Sequence, residues 1–368
     1  MTNLPRCTQC GSAYPSVGAP FLCSCGGTFN YLEFPKFALL KNATKRSGIW
    51  KYRNMLSLPD DAPEINLGEG GTALVDACYE SENVFFKLEY QNPTGSYKDR
   101  GSAVLVSFLI SRGVNAVVED SSGNAGASLA AYAARAGLRS RIFVPASASG
   151  PKREQIKHFG AELVAVPGPR SAAATAVRAA VSENWIYASH AFMPFGLTGI
   201  ATIAYELFQE LGNKTPGTVI APVGHGGLLF GIINGFKALR MASVTSCEPF
   251  YVGVQAAGCA PIFTAYEKHE ITLREPQESD TIAEGVKVST PIHGSDLLHE
   301  VENQRGCFMQ VTEEELIQSY NSLSKRGFFV EPTSALPWAA YEKGKGRFPE
   351  PVIMILTGAG YKTKSYKK

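Results

Sequence analysis

The chain has 368 residues, 45% of them apolar and 18% charged, with a formal net charge of +2 at neutral pH. That length buries a large core and more than one subdomain, while the near-neutral balance and the lack of a basic block interleaved with aromatics argue against a nucleic-acid partner. No apolar run reaches the ~20 residues that span a bilayer, and the opening Met1-Thr2-Asn3-Leu4-Pro5-Arg6 lacks the apolar segment of a signal peptide, so a cytoplasmic protein with no membrane partner is expected.

Four of the eight cysteines crowd the N-terminus. Cys7-Thr8-Gln9-Cys10 and Cys23-Ser24-Cys25-Gly26-Gly27 can each form a tight turn, and two such turns can close a tetrahedral thiolate site for zinc. With Cys7, Cys10, Cys23 and Cys25 all engaged, no position stays open for substrate, so the metal would be structural. The second pair is one residue shorter than the usual knuckle, and a cysteine-rich surface segment without metal is the alternative. Cys78, Cys247, Cys259 and Cys307 read as small buried hydrophobes rather than a disulfide framework. Residues 1–45 are expected to form a zinc-ribbon-like segment ahead of a catalytic domain over 46–368.

From about Trp50 the pattern alternates. Strands are predicted over 83–89, 115–118, 141–145, 163–166, 218–222, 251–254 and 352–356, with helices over 101–110, 125–137, 152–159 and 170–182. Short apolar strands separated by helices imply an α/β fold with mainly parallel sheets covered on both faces. The compact strand–helix repeats place a smaller subdomain at roughly residues 100–200, inserted in the larger one. The basic run 362–368 reads as a solvated end.

Four stretches carry possible chemistry. In Gln91-Asn92-Pro93-Thr94-Gly95-Ser96-Tyr97-Lys98-Asp99-Arg100-Gly101, Pro93 and Gly95 break a strand and Ser96 is a plausible helix N-cap. Lys98 then falls in a helix's first turn, as a surface lysine or a reactive one. Ser121-Ser122-Gly123-Asn124 joins a strand to an Ala-rich helix, where backbone N–H groups suit an anion such as a carboxylate. Gly224-His225-Gly226-Gly227-Leu228 again follows a strand and opens a helix; its glycines let the backbone wrap a phosphate, although the spacing is that of neither a dinucleotide fingerprint nor a P-loop. Thr357 stands at the end of the last apolar strand, where α/β proteins place ligand contacts.

In this order the four stretches resemble the threonine synthase branch of the fold-type-II pyridoxal 5′-phosphate (PLP) enzymes, the tryptophan synthase β-like superfamily. The resemblance covers nearly the whole chain and takes in Leu67-Gly68-Glu69-Gly70-Gly71-Thr72 and Glu331-Pro332-Thr333-Ser334-Ala335. It implies two α/β subdomains with PLP in the cleft between them, and a homodimer. It also implies that Lys98 is the Schiff-base lysine and proton shuttle, and that Asn124 hydrogen-bonds the cofactor's phenolic oxygen. Gly224, His225, Gly226, Gly227 and Leu228 would cradle its phosphate, and Thr357 would face the pyridine nitrogen. Ser121, Ser122 and Asn124 would hold the carboxylate of a small amino-acid substrate. Arg100 would meet a leaving phosphate, with Lys152 and Arg153 as weaker candidates.

The activity implied is that of a PLP-dependent lyase, a threonine synthase, converting O-phosphohomoserine and water into threonine and phosphate. The alternatives are a threonine or serine dehydratase (ammonia-lyase) working by β-elimination, or a synthase acting on O-phosphoserine. Many synthases carry arginine where this chain has Gly196, threonine where it has Ala125, asparagines where it has His225 and Leu228, and histidine where it has Ala359.

Overall fold

The computed structural model describes residues 4–38, 46–77, 83–147, 150–276, 279–303 and 306–363. The segment boundary expected at residue 45, Cys78 and the last residues of the basic run lie outside them.

A two-stranded antiparallel ribbon, β1 (Arg6–Cys7) and β2 (Phe29–Asn30), comes first. The chain continues through β3 (Leu74–Asp76) and β4 (Val84–Lys87), and then alternates: α1 (Lys98–Ser111), β5 (Ala116–Glu119), α2 (Asn124–Arg135), β6 (Arg139–Pro145), α3 (Pro151–His158), β7 (Glu162–Val166), α4 (Arg170–Ala179) and β8 (Ile186–Tyr187). The rest runs α5 (Phe195–Glu210), β9 (Thr218–Pro222), α6 (Gly227–Met241), β10 (Phe250–Ala256), α7 (Pro261–Glu267), α8 (Gly294–Asn303), β11 (Cys307–Val311), α9 (Glu313–Lys325), α10 (Pro332–Lys343) and β12 (Val352–Ile355).

Two compact units result. The first comprises Met1–Gly70, Asn92–Gly199 and Lys362–Lys368. Its four-stranded sheet, ordered β7-β6-β5-β8, is parallel throughout. Every residue of β5 is buried, as a strand covered by helices on both faces requires. Val104, Phe108, Val117, Ala130, Ile142 and Phe195 lie in its main apolar cluster, with the rings of Phe108 and Phe195 stacked.

The second unit comprises Gly71–Gln91 and Ile200–Tyr361. Its six strands run β11-β10-β9-β12-β4-β3, parallel except for the edge strand β3. β9 and β12 are buried along their whole length, and Phe86, Ile220, Val252, Leu336 and Met354 share one apolar cluster. The α/β class with mainly parallel sheets is therefore the one expected.

Several local expectations need correction. α1 starts at Lys98, three residues earlier than its apolar run suggests, and Ser96 is not its cap. Tyr97 occupies that position with no side-chain hydrogen bond, while the Ser96 hydroxyl is buried without a partner. Cys259 is buried as expected, but Cys307 is only partly so and Cys247 is exposed. Lys362 opens the basic run, yet it is 3% exposed.

Candidate active site

Lys98 is the first residue of α1 and half-buried, its Nζ 4.7 Å from the centre of the Tyr97 ring. The turn before it is closed by a hydrogen bond from the Gly95 amide to the Asn92 carbonyl (2.7 Å). The Gly70 amide donates to Asn92 Oδ1 (2.9 Å). Asp99 points back under this turn: its carboxylate accepts from the Thr94 amide (2.6 Å), the Thr94 hydroxyl (2.7 Å) and the Ser128 hydroxyl (2.6 Å). Burial pushes the Asp99 carboxyl up to about 6, against the pull of the Ser128 and Thr94 hydrogen bonds and the Lys362 charge. The Thr94 carbonyl accepts from Lys362 Nζ (2.6 Å) and Gln155 Nε2 (3.2 Å). Lys98 thus projects from a backbone fixed on all sides. Arg100 is completely buried, so it presents no surface to a leaving group.

Ser121, Ser122, Gly123 and Asn124 link β5 to α2, with Gly123 at the N-cap and Asn124 the first helical residue. All four are half-buried. A Cβ at Gly126 would lie 1.9 Å from the Ser121 carbonyl oxygen, so a glycine is needed for the helix to start against this loop. The loop pairs a helix N-terminus with the C-terminal end of a parallel strand, two features that favour an anionic ligand.

Just before that loop come Glu119 and Asp120, which belong to none of the four stretches marked in the sequence. Glu119 Oε1 is 2.8 Å from His190 Nδ1, and Asp120 accepts a 2.6 Å hydrogen bond from the Tyr187 hydroxyl. Burial, and then the Asp120 charge, raise the Glu119 carboxyl well above its usual range, opposed by Lys98, Arg170 and the His190 amide. Two acids ending an otherwise apolar strand were a legible signal.

In the second unit, β9 ends at Pro222 and leads into Gly224, His225, Gly226, Gly227 and Leu228. Gly226 adopts φ +94° as the N-cap of α6 and Gly227 is its first residue. The left-handed conformation suits only glycine, and a Cβ there would also crowd His293 Cβ at 3.1 Å. The His225 carbonyl accepts from the His293 amide (3.0 Å). The first-turn N–H groups of α6 thus open onto this loop, a donor set that fits a phosphate. Thr357 follows β12 and is 2% exposed. Its hydroxyl lies 2.9 Å from that of Ser334, which also accepts from the Gly358 amide (2.9 Å). Of the residues expected to act, Lys98, Arg100, Ser121, Ser122 and Asn124 fall in the first unit, and the glycine loop and Thr357 in the second.

At the N-terminal ribbon the sulfurs of Cys7, Cys10, Cys23 and Cys25 all lie within 4.8 Å of one another. Cys7 and Cys25 are 3.4 Å apart, and Cys10 and Cys23 3.7 Å. Tetrahedral zinc with ~2.3 Å bonds holds its sulfurs roughly 3.8 Å apart, so the four thiols fit the metal. Hydrogen bonding with Ser12 lowers the Cys10 thiol to about 6 and the Cys7 thiol is lowered too, whereas Cys25, against the pull of the Gly27 amide, is raised by the neighbouring Cys7 and Cys10 thiols.

Comparison with known proteins agrees with this chemistry. Residues 65–358 match the family described as pyridoxal-phosphate dependent enzyme. A threonine synthase of Methanocaldococcus jannaschii is 33% identical over 376 residues, covering 98% of this chain and 93% of that protein. One of Methanosarcina acetivorans is 30% identical, covering 96% and 90%. Among solved structures, a threonine deaminase from T.th. superposes with a TM-score of 0.64 at 26% identity, covering 77% of this chain and 89% of that one. The L-serine ammonia-lyase of Rhizomucor miehei gives 0.68 at 24%, covering 78% and 93%, a likeness of fold. The chain belongs to the pyridoxal-phosphate dependent enzyme family and is a PLP-dependent enzyme with an α/β fold. No helix among the described residues is long and apolar enough to cross a membrane.

Proposed function

We propose that the chain is a threonine synthase that turns O-phosphohomoserine and water into threonine and phosphate, with its cofactor carried on Lys98. The observation that carries this reading is coverage. The Methanocaldococcus threonine synthase aligns with 98% of the chain, and so must take in cysteine-rich N-terminal residues, whereas the superposed threonine deaminase covers 77%.

Bound PLP supplies the electron sink for charge developing at the substrate's Cα. The Lys98 amine would hold the cofactor and, when free, would move protons at the substrate's Cα and Cβ. Asn124 serves the cofactor's phenolic oxygen, and the backbone of Gly224, His225, Gly226, Gly227 and Leu228 serves its phosphate. Thr357 would offer a neutral hydroxyl to the ring nitrogen. Ser121, Ser122 and Asn124 hold the substrate carboxylate. With Arg100 buried, Lys152 and Arg153 in the first turn of α3 are the basic groups left for the departing phosphate. Cys7, Cys10, Cys23 and Cys25 hold a structural zinc.

A second reading, a threonine or serine ammonia-lyase, is favoured by one contact. A Cβ at Gly196 would meet the Gly101 carbonyl oxygen at 3.3 Å, a tight fit for the arginine that many synthases carry there. The test is an absorbance spectrum followed by one assay. The wild-type protein shows a cofactor band that Lys98→Ala abolishes; no band with added PLP sinks both readings. Phosphate release with threonine formation from O-phosphohomoserine selects the synthase. A 2-oxo acid from threonine or serine selects the ammonia-lyase, and turnover of O-phosphoserine alone overturns both.

A further inference from the structure

The first unit holds a buried acid–imidazole pair that none of the roles above uses. β5 and β8 are parallel neighbours, and the ladder continues past them through a 2.9 Å hydrogen bond from the Ala188 amide to the Val118 carbonyl. Glu119, at the end of β5, and His190, three residues beyond β8, therefore emerge at the same strand ends as the Ser121–Asn124 loop. The Glu119 side chain is 1% exposed and that of His190 24%. Only one Glu119 oxygen is engaged by a side chain: Oε1 meets His190 Nδ1, while Oε2 is buried without a hydrogen-bond partner. A buried carboxyl oxygen left idle is destabilising, and such groups concentrate at functional sites.

We propose that Glu119 and His190 form a proton-donating dyad, in which His190 gives a proton to the oxygen leaving the substrate side chain and Glu119 positions the imidazole. The proposal rests on the reading that Lys98 and the Ser121–Asn124 loop receive the substrate. A carboxylate bonded to Nδ1 fixes the ring and its tautomer, and Nε2 is the nitrogen assigned to the transfer. As the C–O bond breaks, its electron pair stays with the oxygen, which takes the proton from Nε2. The pair from the C–H bond on the neighbouring carbon, whose proton Lys98 accepts, closes the new C=C bond. The imidazole is left neutral, its Nδ1–H still donated to Glu119, and it regains a proton from water at its exposed edge.

The groups facing the dyad suit a shared proton. Asp120 and the Tyr187 phenol lie beside the carboxyl, while Arg170 at the start of α4 brings positive charge. The acids hold the proton and the Arg170 charge eases its release. The raised Glu119 carboxyl is in keeping with a proton kept on this pair at neutral pH.

The test compares leaving groups. His190→Gln is assayed on whichever oxygen-leaving substrate the wild type accepts, and on β-chloro-L-alanine, whose chloride departs without a proton. The expected result is a loss on the order of 100-fold with the oxygen leaving group and a change under about 3-fold with the chloride, the cofactor band being retained. Glu119→Gln is expected to lose roughly 10-fold on the same substrate. Equal losses on both substrates, or no loss on either, overturn the dyad. The pH profile is an independent check: the alkaline fall in wild-type kcat/KM is absent in His190→Gln, and a fall that persists overturns the proposal. Failure of the underlying reading is distinguishable, because the wild type would then show no cofactor band or turn over none of the amino acids.

Discussion

The ammonium group of Lys362 donates a 2.6 Å hydrogen bond to the carbonyl oxygen of Thr94, tying the segment that follows β12 to the turn that leads into Lys98. Lys362 is 3% exposed, so the bond is sheltered from water. A hydrogen bond with a charged donor contributes about 1.5–3 kcal/mol, and Lys362→Met leaves the carbonyl with Gln155 alone among its side-chain partners. The variant should unfold in urea with a stability lower by about 2 kcal/mol and hold its cofactor less tightly. An unfolding midpoint indistinguishable from wild type would show that the contact contributes nothing.

Asp99, beneath the same turn, makes stability depend on pH in an unusual direction. Its carboxyl sits at about 6, above the ordinary 3.8, so the folded state binds the proton more tightly than the unfolded chain does. This contribution is complete below about pH 4 and is lost as pH rises through 6. Wild type should therefore lose up to about 3 kcal/mol across that window relative to Asp99→Asn, which cannot titrate there. Urea unfolding at pH 4, 5, 6 and 7 checks the sign, and a gap that widens the other way contradicts it.

Gly226→Ala tests the phosphate loop. The residue must keep φ near +94° with a methyl group 3.1 Å from His293 Cβ, so the loop is expected to shift rather than α6 to unfold. Cofactor titration by absorbance should show affinity weakened about 10-fold, or ~1.4 kcal/mol, at a nearly unchanged far-UV circular dichroism spectrum.

For the cysteine cluster, elemental analysis of protein purified without added metal should find close to one zinc per chain. Cys10→Ser should lower that figure and the thermal midpoint together. Treatment with a strong chelator should lower the midpoint of wild type but not of the variant. A zinc-free wild-type sample with the same midpoint would remove the metal from the account.

The strands buried on both faces were the most legible elements. β9 spans the residues predicted for it, and β5 and β12 begin or end within a residue of their apolar runs, because a parallel strand covered by helices has no polar face to blur its pattern. β3 escaped notice as a three-residue edge strand and β8 as a pair, each too short for a period. α9 should not have been missed: Thr312 and Glu315 form a capping box, a signature readable from spacing alone. Around the site, glycine loops and Lys98 could be read because their backbone demands are local. Glu119 with His190, and Thr94 with Lys362, are contacts between residues far apart in sequence, which composition and period do not encode. Lys362 misled for the same reason, since a basic run reads as solvated until something buries its first member.

One consequence of the second sheet concerns how the protein is made. β12, which follows every other described strand in the sequence, lies between β9 and β4. Until it emerges, β11-β10-β9 and β4-β3 are separate fragments, with β9 and β4 each offering an unpaired edge. Lys362 and the Thr94 turn likewise meet only after Lys362 itself has been made. A growing chain that has not yet reached β12 and Lys362 is thus an aggregation hazard with an unbraced turn before Lys98, and it needs shelter until both have been made.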